Sequence, residues 1–598
     1  MNSLIPTRLN QLRLAMQQHG LDAYYIPSAD PHLSEYLPEH WQGREYFSGF
    51  TGSVANLVVT ASFAGLWVDS RYWEQAEQEL QGTEIQLMKV NSAAASFHFD
   101  WLAQNLSANQ CVGVDGDVLS LAAERNLRSG LQKQGIRLHT ELDLLNQVWS
   151  DRPTLPSAPI YEHAAPFAPL GRTQKLQQVR VAMQAQGVQH HFISSLDDIA
   201  WLLNLRGSDV NYNPVFLAHA LINVDSAILF CSPEKISPEL TQQLAQDGVI
   251  VQAYELAKTA LQNLTPNSAL LLDPRRITFG FKQQVASTVR IVEAINPSVL
   301  LKAQKSAEEA AFVRTAMEQD GAALCEFFAW LEQAQKDKAL ITELTIDEQI
   351  CAARARQAHF VSPSFGTIAG FNGNGAMPHY RATSDSHAQI QGDGLLLIDS
   401  GGQYLNGTTD ITRVVAIGEL NQQQKFDCSL VLKGVIALSK IRFPKGTYSS
   451  VLDTLARAPM WAHGINYGHG TGHGVGYFMN VHEGPQSISG AAIPDANTVM
   501  QVGMITSNEP GIYRPGKWGV RIENLLLCVP SVQAEFGEFL EFETLTLCPL
   551  DRRCIAWENM TADEITWVND YHQIVRTRLQ DRVQGAALAW LLENTEAI

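Results

Sequence analysis

Leu395-Leu-Leu-Ile-Asp399, followed by Thr408-Thr-Asp-Ile-Thr412, decides how this chain is read. An apolar run closing on a carboxylate is expected to be a buried strand, and period-two alternation puts Thr408, Asp410 and Thr412 on one face of the next strand. With a loop centred near Tyr404, Asp399 and Asp410 face each other across an antiparallel pair. A tighter turn at Asn406-Gly407 offsets them by four residues, so sharing a cation requires the wider loop.

The same geometry recurs downstream. Glu509 and Glu523 are symmetric about Gly516 in the turn-rich Arg514-Pro-Gly-Lys517, which predicts a second hairpin bringing them together. Arg521, two residues before Glu523, shares its face and is a candidate to hold a substrate carboxylate or carbonyl oxygen. Between the hairpins lies Tyr467-Gly-His-Gly-Thr-Gly-His-Gly-Val-Gly476, whose glycines make a continuous helix costly and let the backbone approach a ligand closely. Four carboxylates and one imidazole (Asp399, Asp410, His473, Glu509, Glu523) suit hard or borderline divalent cations. One ion would carry excess negative charge, so two ions bridged by carboxylates are expected. His379, His469 and His482 stand in neighbouring Gly-rich segments. Gly511-Ile-Tyr-Arg-Pro-Gly-Lys517 has the spacing of a phosphate loop, but Trp518 replaces the hydroxyl that would hold magnesium. No His-Glu-x-x-His helix is present, which disfavours a single-zinc peptidase of that kind.

Outward from this stretch, 598 residues exceed one core and predict two to four domains. Sixty-one acidic against 43 basic residues give a net charge of −18, which opposes binding to nucleic acid or anionic lipid. Met1 to Gly20 lacks the apolar core of a signal peptide, and no run is long enough for a membrane span. Eight dispersed cysteines read as buried reduced thiols of a cytoplasmic protein. Leu9 to Ile26 and Leu176 to Ile193 align without a gap, each a helix closed by Gly20 or Gly187 and followed by a strand. The repeat predicts two related α/β domains joined by the Pro-rich segment Asp151 to Pro169.

Asp30, His32, Glu35 and Asp69-Ser-Arg-Tyr72 read as structural or inter-domain groups. Asp197-Asp198 reads as a helix start and Arg206 as a surface or interface charge. Ser306 to Glu309 caps a long helix through Leu331, and Thr345 to Glu348 is expected to cap another to about Arg356. Phe360 to Phe371 reads as strand. Thr561 to Glu564 caps a helix with Ile565, Val568, Ile574, Leu579 and Val583 near one face.

The strings Leu397-Ile-Asp-Ser-Gly-Gly402, Gly407-Thr-Thr-Asp-Ile-Thr-Arg413, Gly468-His-Gly-Thr-Gly-His-Gly-Val-Gly476, Val481-His-Glu-Gly-Pro485, Ser507-Asn-Glu-Pro-Gly-Ile-Tyr513 and Val520-Arg-Ile-Glu-Asn524 resemble the Xaa-Pro aminopeptidases (aminopeptidase P) of the pita-bread metallopeptidase group. Gly49-Phe-Thr-Gly-Ser53 and Asn204-Leu-Arg-Gly-Ser208 look like the three-domain cytosolic form. The resemblance implies creatinase-like α/β domains at 1–155 and 156–303, a pita-bread domain at 304–540 and a C-terminal extension at 541–598. It implies removal of the N-terminal residue from peptides with proline in second position, by attack of a dimetal-bound hydroxide. Asp399 would bind one metal, Asp410 and Glu523 would bridge, and His473 and Glu509 would complete the other. Glu509 would handle the proton, His379, His469 and His482 would bind substrate and the tetrahedral intermediate, and Arg521 would grip substrate beyond the proline ring. Met377-Pro378 departs from the two aliphatic residues often found before the His379-like position. The metals implied are two divalent ions, manganese first, with zinc or cobalt as alternatives. The partners are a peptide substrate and a second copy in a homodimer, with no nucleic acid or membrane. A prolidase-like Xaa-Pro dipeptidase, a methionine aminopeptidase, and a non-catalytic binding protein on the same fold are the alternative readings.

Overall fold

The computed structural model describes residues 4–91 and 96–598, so the first three residues of the opening domain lie outside the described residues. The chain divides into two compact units, Met1–Ala164 with Leu170–Val299, and Ala165–Pro169 with Leu300–Ile598.

The first unit contains the repeat, and its two six-stranded sheets match strand for strand. One orders Gln86–Val90, Ala64–Asp69, Asn56–Thr60, Ala23–Pro27, Cys111–Gly113 and Arg137–His139; the other orders Val249–Gln252, Ala227–Phe230, His219–Asn223, His190–Ile193, Ala269–Leu272 and Arg290–Glu293. In both, the inner hairpins are antiparallel and the outer strands join in parallel. The helices Ile5–Gln18 and Arg172–Ala185 precede the equivalent strands, and Gly20 and Gly187 each take φ 65°, the left-handed conformation glycine adopts at least cost.

Of the side features, Asp30, His32, Asp69 and Tyr72 are buried, whereas Glu35 is exposed. The His32 Nδ1–H donates to the Ser194 carbonyl at 2.8 Å, and the Tyr254 hydroxyl donates to His32 Nε2 at 2.9 Å, tying the two repeats together. Ser195 is the N-cap of the helix Leu196–Leu203, which carries Asp197 and Asp198 in its first turn. Arg206 is not a surface charge: it is 2% exposed and donates to the carbonyls of Ala200 and Leu205. Nor is the Pro-rich segment wholly linker, because Tyr161–Glu162 pairs with Leu205–Arg206.

The second unit is α+β. A three-stranded sheet (Ile368–Phe371, Gly394–Ser400, Ile411–Ile417) and a six-stranded one (Phe443–Pro444, Gly537–Thr544, Asn524–Ala534, Ile505–Asn508, Gly472–Gly474, Glu483–Ile488) pack with the helices Ala307–Lys336, Glu343–Ala355, Gln422–Ser439 and Ala562–Leu579 around a large apolar core, with a smaller cluster at Phe443, Leu526, Leu540 and Phe542. Ser306 and Glu309 form the expected capping box. The next helix starts two residues before Thr345, because Thr342 supplies the cap and Thr345 closes its box. Phe360 to Phe371 is two strands in different sheets, Phe360–Pro363 and Ile368–Phe371. In Ala562–Leu579, Val568 and Leu579 are fully buried whereas Ile574 is half exposed and faces outward. Seven cysteines are buried, Cys351 is half-buried, and all eight are thiols. Among the described residues, no helix is long and apolar enough to cross a membrane.

Candidate metal centre

Asp399 ends the central strand of the three-stranded sheet, and its pairing fixes where Asp410 falls. Asp399 lies opposite Thr412 and Ser400 opposite Ile411, while Gln403 pairs with Thr408 and Tyr404 with Gly407. The turn is therefore Leu405-Asn406, between the two expected positions. Asp410 is the diagonal rather than the direct neighbour of Asp399, still on the same face and within reach of a shared ligand.

The glutamate hairpin keeps the predicted symmetry. Gly511 pairs with Arg521 and Arg514 with Trp518, and Asn508 pairs with Asn524 in the same register beyond. Glu509 and Glu523 occupy the gap between these two ladders, opposite one another. Glu523 is anchored from the aspartate hairpin, since the Thr412 hydroxyl donates to its Oε2 at 2.8 Å and its own N–H donates to the Thr412 carbonyl at 3.1 Å.

His473 sits in the short strand Gly472–Gly474, not on a helix. Its Nδ1 lies 3.0 Å from the Gly474 carbonyl. A carbonyl oxygen only accepts, so the ring hydrogen is on Nδ1 and the Nε2 lone pair faces Asp410 Oδ2 at 3.6 Å and Glu509 Oε1 at 3.4 Å. A backbone carbonyl holding the far nitrogen is how proteins set a metal-ligating tautomer.

Donor atoms of Asp410, His473 and Glu523 lie within 4.8 Å of one another. Asp399 Oδ1 and Glu523 Oε1 are buried and accept no hydrogen bond among the described residues. Burial, then repulsion from Asp399 and Glu509, drives the Asp410 carboxyl far above its usual range. Burial raises Glu509 to about 7 despite Arg521, and burial with Asp410 as neighbour raises Glu523. Buried carboxylates are otherwise found neutralised by donors or cations. These oxygens and the Nε2 lone pair fit divalent cations.

Comparison with known proteins agrees. Residues 311–530 match metallopeptidase family M24, 538–598 match its C-terminal region, and 8–144 and 151–309 each match the creatinase/prolidase N-terminal domain. Xaa-Pro aminopeptidase 1 of Dictyostelium discoideum is 36% identical over 96% of this chain and 93% of its own. Aminopeptidase P2 of Arabidopsis thaliana is 35% identical over 100% and 89%. The chain belongs to the Xaa-Pro aminopeptidases. A solved X-prolyl aminopeptidase from Caenorhabditis elegans, described as a cytosolic enzyme with a di-nuclear active site, superimposes with a TM-score of 0.94 at 30% identity, covering 99% of this chain and 100% of that one. The fold is thus two creatinase-type α/β domains followed by the pita-bread domain.

Arg521, expected to contact substrate, is held by protein groups in this structure. It is 3% exposed, and its guanidinium donates to Asp399 Oδ2 at 2.5 Å, the Tyr513 hydroxyl at 2.8 Å and Thr412 Oγ1 at 3.2 Å. Directed at protein groups, it orients Asp399 and Tyr513. The Tyr513 hydroxyl in turn donates to His469 Nε2 at 2.8 Å, while His469 Nδ1–H donates to the Gly470 carbonyl at 2.7 Å. His482 packs edge-to-face on His473, ring centroids 4.3 Å apart. His379 is half-buried in the segment after the 3₁₀ turn Asn372–Ala376.

Two supports escaped the sequence reading. Glu343, fully buried, accepts from the N–H groups of Phe371 and Ala388, the Asn374 amide and the Tyr380 hydroxyl, fixing the loop that carries His379. Arg457 donates to Asp453 and to the carbonyls of Tyr467 and His469, and Asp453 accepts from Thr471, which fixes the histidine loop. The i, i+4 spacing of Asp453 and Arg457 was the only signal available for either.

Proposed function

We propose that this chain is a metal-dependent aminopeptidase that removes the N-terminal residue from peptides with proline in second position. The observation that carries the reading is the pair of buried carboxylate oxygens without donors among the described residues, Asp399 Oδ1 and Glu523 Oε1, gathered near a histidine whose Nε2 faces Asp410 and Glu509. Asp399 would hold one ion, Asp410 and Glu523 would bridge, and His473 and Glu509 would complete the second site. Held there, two divalent ions would supply a water of lowered pKa and Lewis-acid polarisation of a carbonyl.

The chain's own residues do the rest. Glu509 takes the proton of the attacking water and passes it on toward the leaving nitrogen. His379 and His482 donate to the substrate carbonyl as charge develops on it. His469 presents its ring beside them, held by Tyr513, and donates only when that hydrogen bond is exchanged or the ring is protonated. Arg521 contributes by orientation, keeping Asp399 and Tyr513 in place. A proline amide has no N–H to read, so selectivity rests on ring shape and on the carbonyl.

Manganese is the expected ion, since a carboxylate-rich donor set suits it, with zinc and cobalt as alternatives. A cytoplasmic homodimer is the expected form. Turnover of Xaa-Pro-Xaa tripeptides beside Xaa-Ala-Xaa tripeptides and Xaa-Pro dipeptides, after reconstitution with manganese, zinc or cobalt, tests the reading. Preference for the alanine peptides overturns the proline assignment, and preference for dipeptides favours a prolidase. Sedimentation equilibrium tests the dimer.

A further inference from the structure

We infer that Glu483, gripped between Lys302 and Lys305, is a positioning residue for His482. For its catalytic consequence the inference rests on the proposed peptidase reading.

Three charged side chains meet here with almost no solvent. Side-chain exposure is 1% for Glu483, 1% for Lys302 and 0% for Lys305. Lys305 Nζ donates to Glu483 Oε1 at 2.7 Å and to the Ala303 carbonyl at 3.4 Å, and Lys302 Nζ donates to Glu483 Oε2 at 3.2 Å. Each carboxylate oxygen thus has its own ammonium. Taking three charges out of water is costly, and such a group is no more stable than apolar side chains of the same volume. What it does supply is a fixed position for Glu483 between two anchored lysines.

The position fixed is the start of the strand Glu483–Ile488. Glu483 pairs with Gly474 at a register shift just after His473, and a Cβ on Gly474 would stand 2.3 Å from the Glu483 carbonyl oxygen. Only glycine permits that approach. His482 is the residue immediately before this strand, so the backbone that carries its ring leads directly into the clamped Glu483. That ring meets His473 edge-to-face. The lysines are held as firmly. The Lys305 N–H donates to the Gly503 carbonyl at 2.9 Å, and at Gly503, which takes φ 90°, a Cβ would stand 2.4 Å from the Lys305 carbonyl oxygen. The ionic clamp therefore links a fixed backbone segment to the residue next to His482, and a shift there moves the imidazole relative to His473.

The test is a variant that empties the clamp without leaving a charge behind, Lys302→Met with Glu483→Leu and Lys305→Met, studied in the full chain with metal. It is expected to fold and to keep its metal content. The kcat for an Xaa-Pro-Xaa tripeptide is expected to fall about 100-fold, the scale of a 1 Å misplacement, with KM little changed. In ε1-13C-histidine NMR spectra the His482 signal, assigned with His482→Gln, is expected to shift or broaden while those of the unit-1 histidines stay fixed. An unchanged His482 signal in the folded variant overturns the inference whatever the activity does. Should the variant not fold, the single change Lys302→Met, which leaves Lys305 on Glu483, provides the same NMR readout and the same criterion. Wild-type protein that does not cleave Xaa-Pro peptides overturns the peptidase reading alone, because the NMR arm still reports on the clamp.

Discussion

The best-buried titratable clusters of the two units differ in their neighbours, although Asp115 in the first unit is also raised by burial beside carboxylates and His572 in the second is also lowered by burial. In the first, histidines are buried neutral: His32, His98, His191 and His219 are all pushed below their usual range by loss of water, and His32 stacks on His219 with centroids 4.6 Å apart. Its buried Asp209 is matched by Lys235. In the second unit, Asp410, Glu509 and Glu523 are buried against one another and pushed upward, with Arg521 as the nearby cation. Glu343, also fully buried there, is surrounded by donors instead. Burial alone therefore does not mark chemistry. Like charges packed together without partners do, because nothing in folding rewards that arrangement.

The comparison is broken most directly at the centre. Asp410→Ala and His473→Ala are expected to lower tripeptide turnover by more than the about 100-fold typical of losing a group that merely supports a ligand, with metal content falling in parallel. Full, chelator-resistant activity in either variant would falsify the two-metal assignment.

A smaller effect is expected in the first unit, in unfolding experiments against pH. His191 is fully buried and depressed to about 4, so its unfolded form, near 6.5, binds the proton first. The stability this provides is complete above about pH 6.5 and is lost as pH falls toward 4, amounting to about 3 kcal/mol. His191→Phe, which cannot titrate, is expected to flatten that slope by about this amount; an unchanged slope sets the burial argument aside.

Metal removal should act on the second unit. At metal concentrations of about 100 Kd, chelation is expected to cost about 2.7 kcal/mol and to lower the melting temperature of that unit's transition. Smallest and opposite in sign, Glu523→Gln in metal-free protein is expected to raise stability by about 1 kcal/mol, by removing the cost of burying an ionisable carboxyl, with Asp410 beside it. Glu343→Gln lowers it. If both variants are destabilised alike, the contrast between crowded and satisfied carboxylates does not hold.

Legibility in the sequence followed the range of the interaction. The Glu509 and Glu523 hairpin could be read because its turn is symmetric and local. The duplicated α/β topology could be read from one helix-turn-strand string seen twice. The Asp399 and Asp410 register was half legible: pleat alternation gave the face, but Leu405-Asn406 carries no turn signal as strong as Asn406-Gly407, so the offset was missed. Arg521 was placed on the right face, yet its engagement depends on Asp399 and Thr412, each more than a hundred positions away in the chain. Glu343 and the Lys302–Glu483–Lys305 clamp left no local trace, since a lone glutamate or lysine reads as a solvated surface group until the fold closes over it.

The spacing of the ligands also orders events during synthesis. The first unit, which ends at Val299, is complete before any metal-ligand candidate has been translated. Asp399 and Asp410 then wait for the whole histidine loop and the second hairpin, which brings Glu523 to Thr412. A nascent chain thus presents scattered carboxylates of ordinary weak affinity, and a tight metal trap arises only once the last of these strands is paired. Metal selection is thereby deferred to the finished fold, under whatever ion supply the cell then maintains.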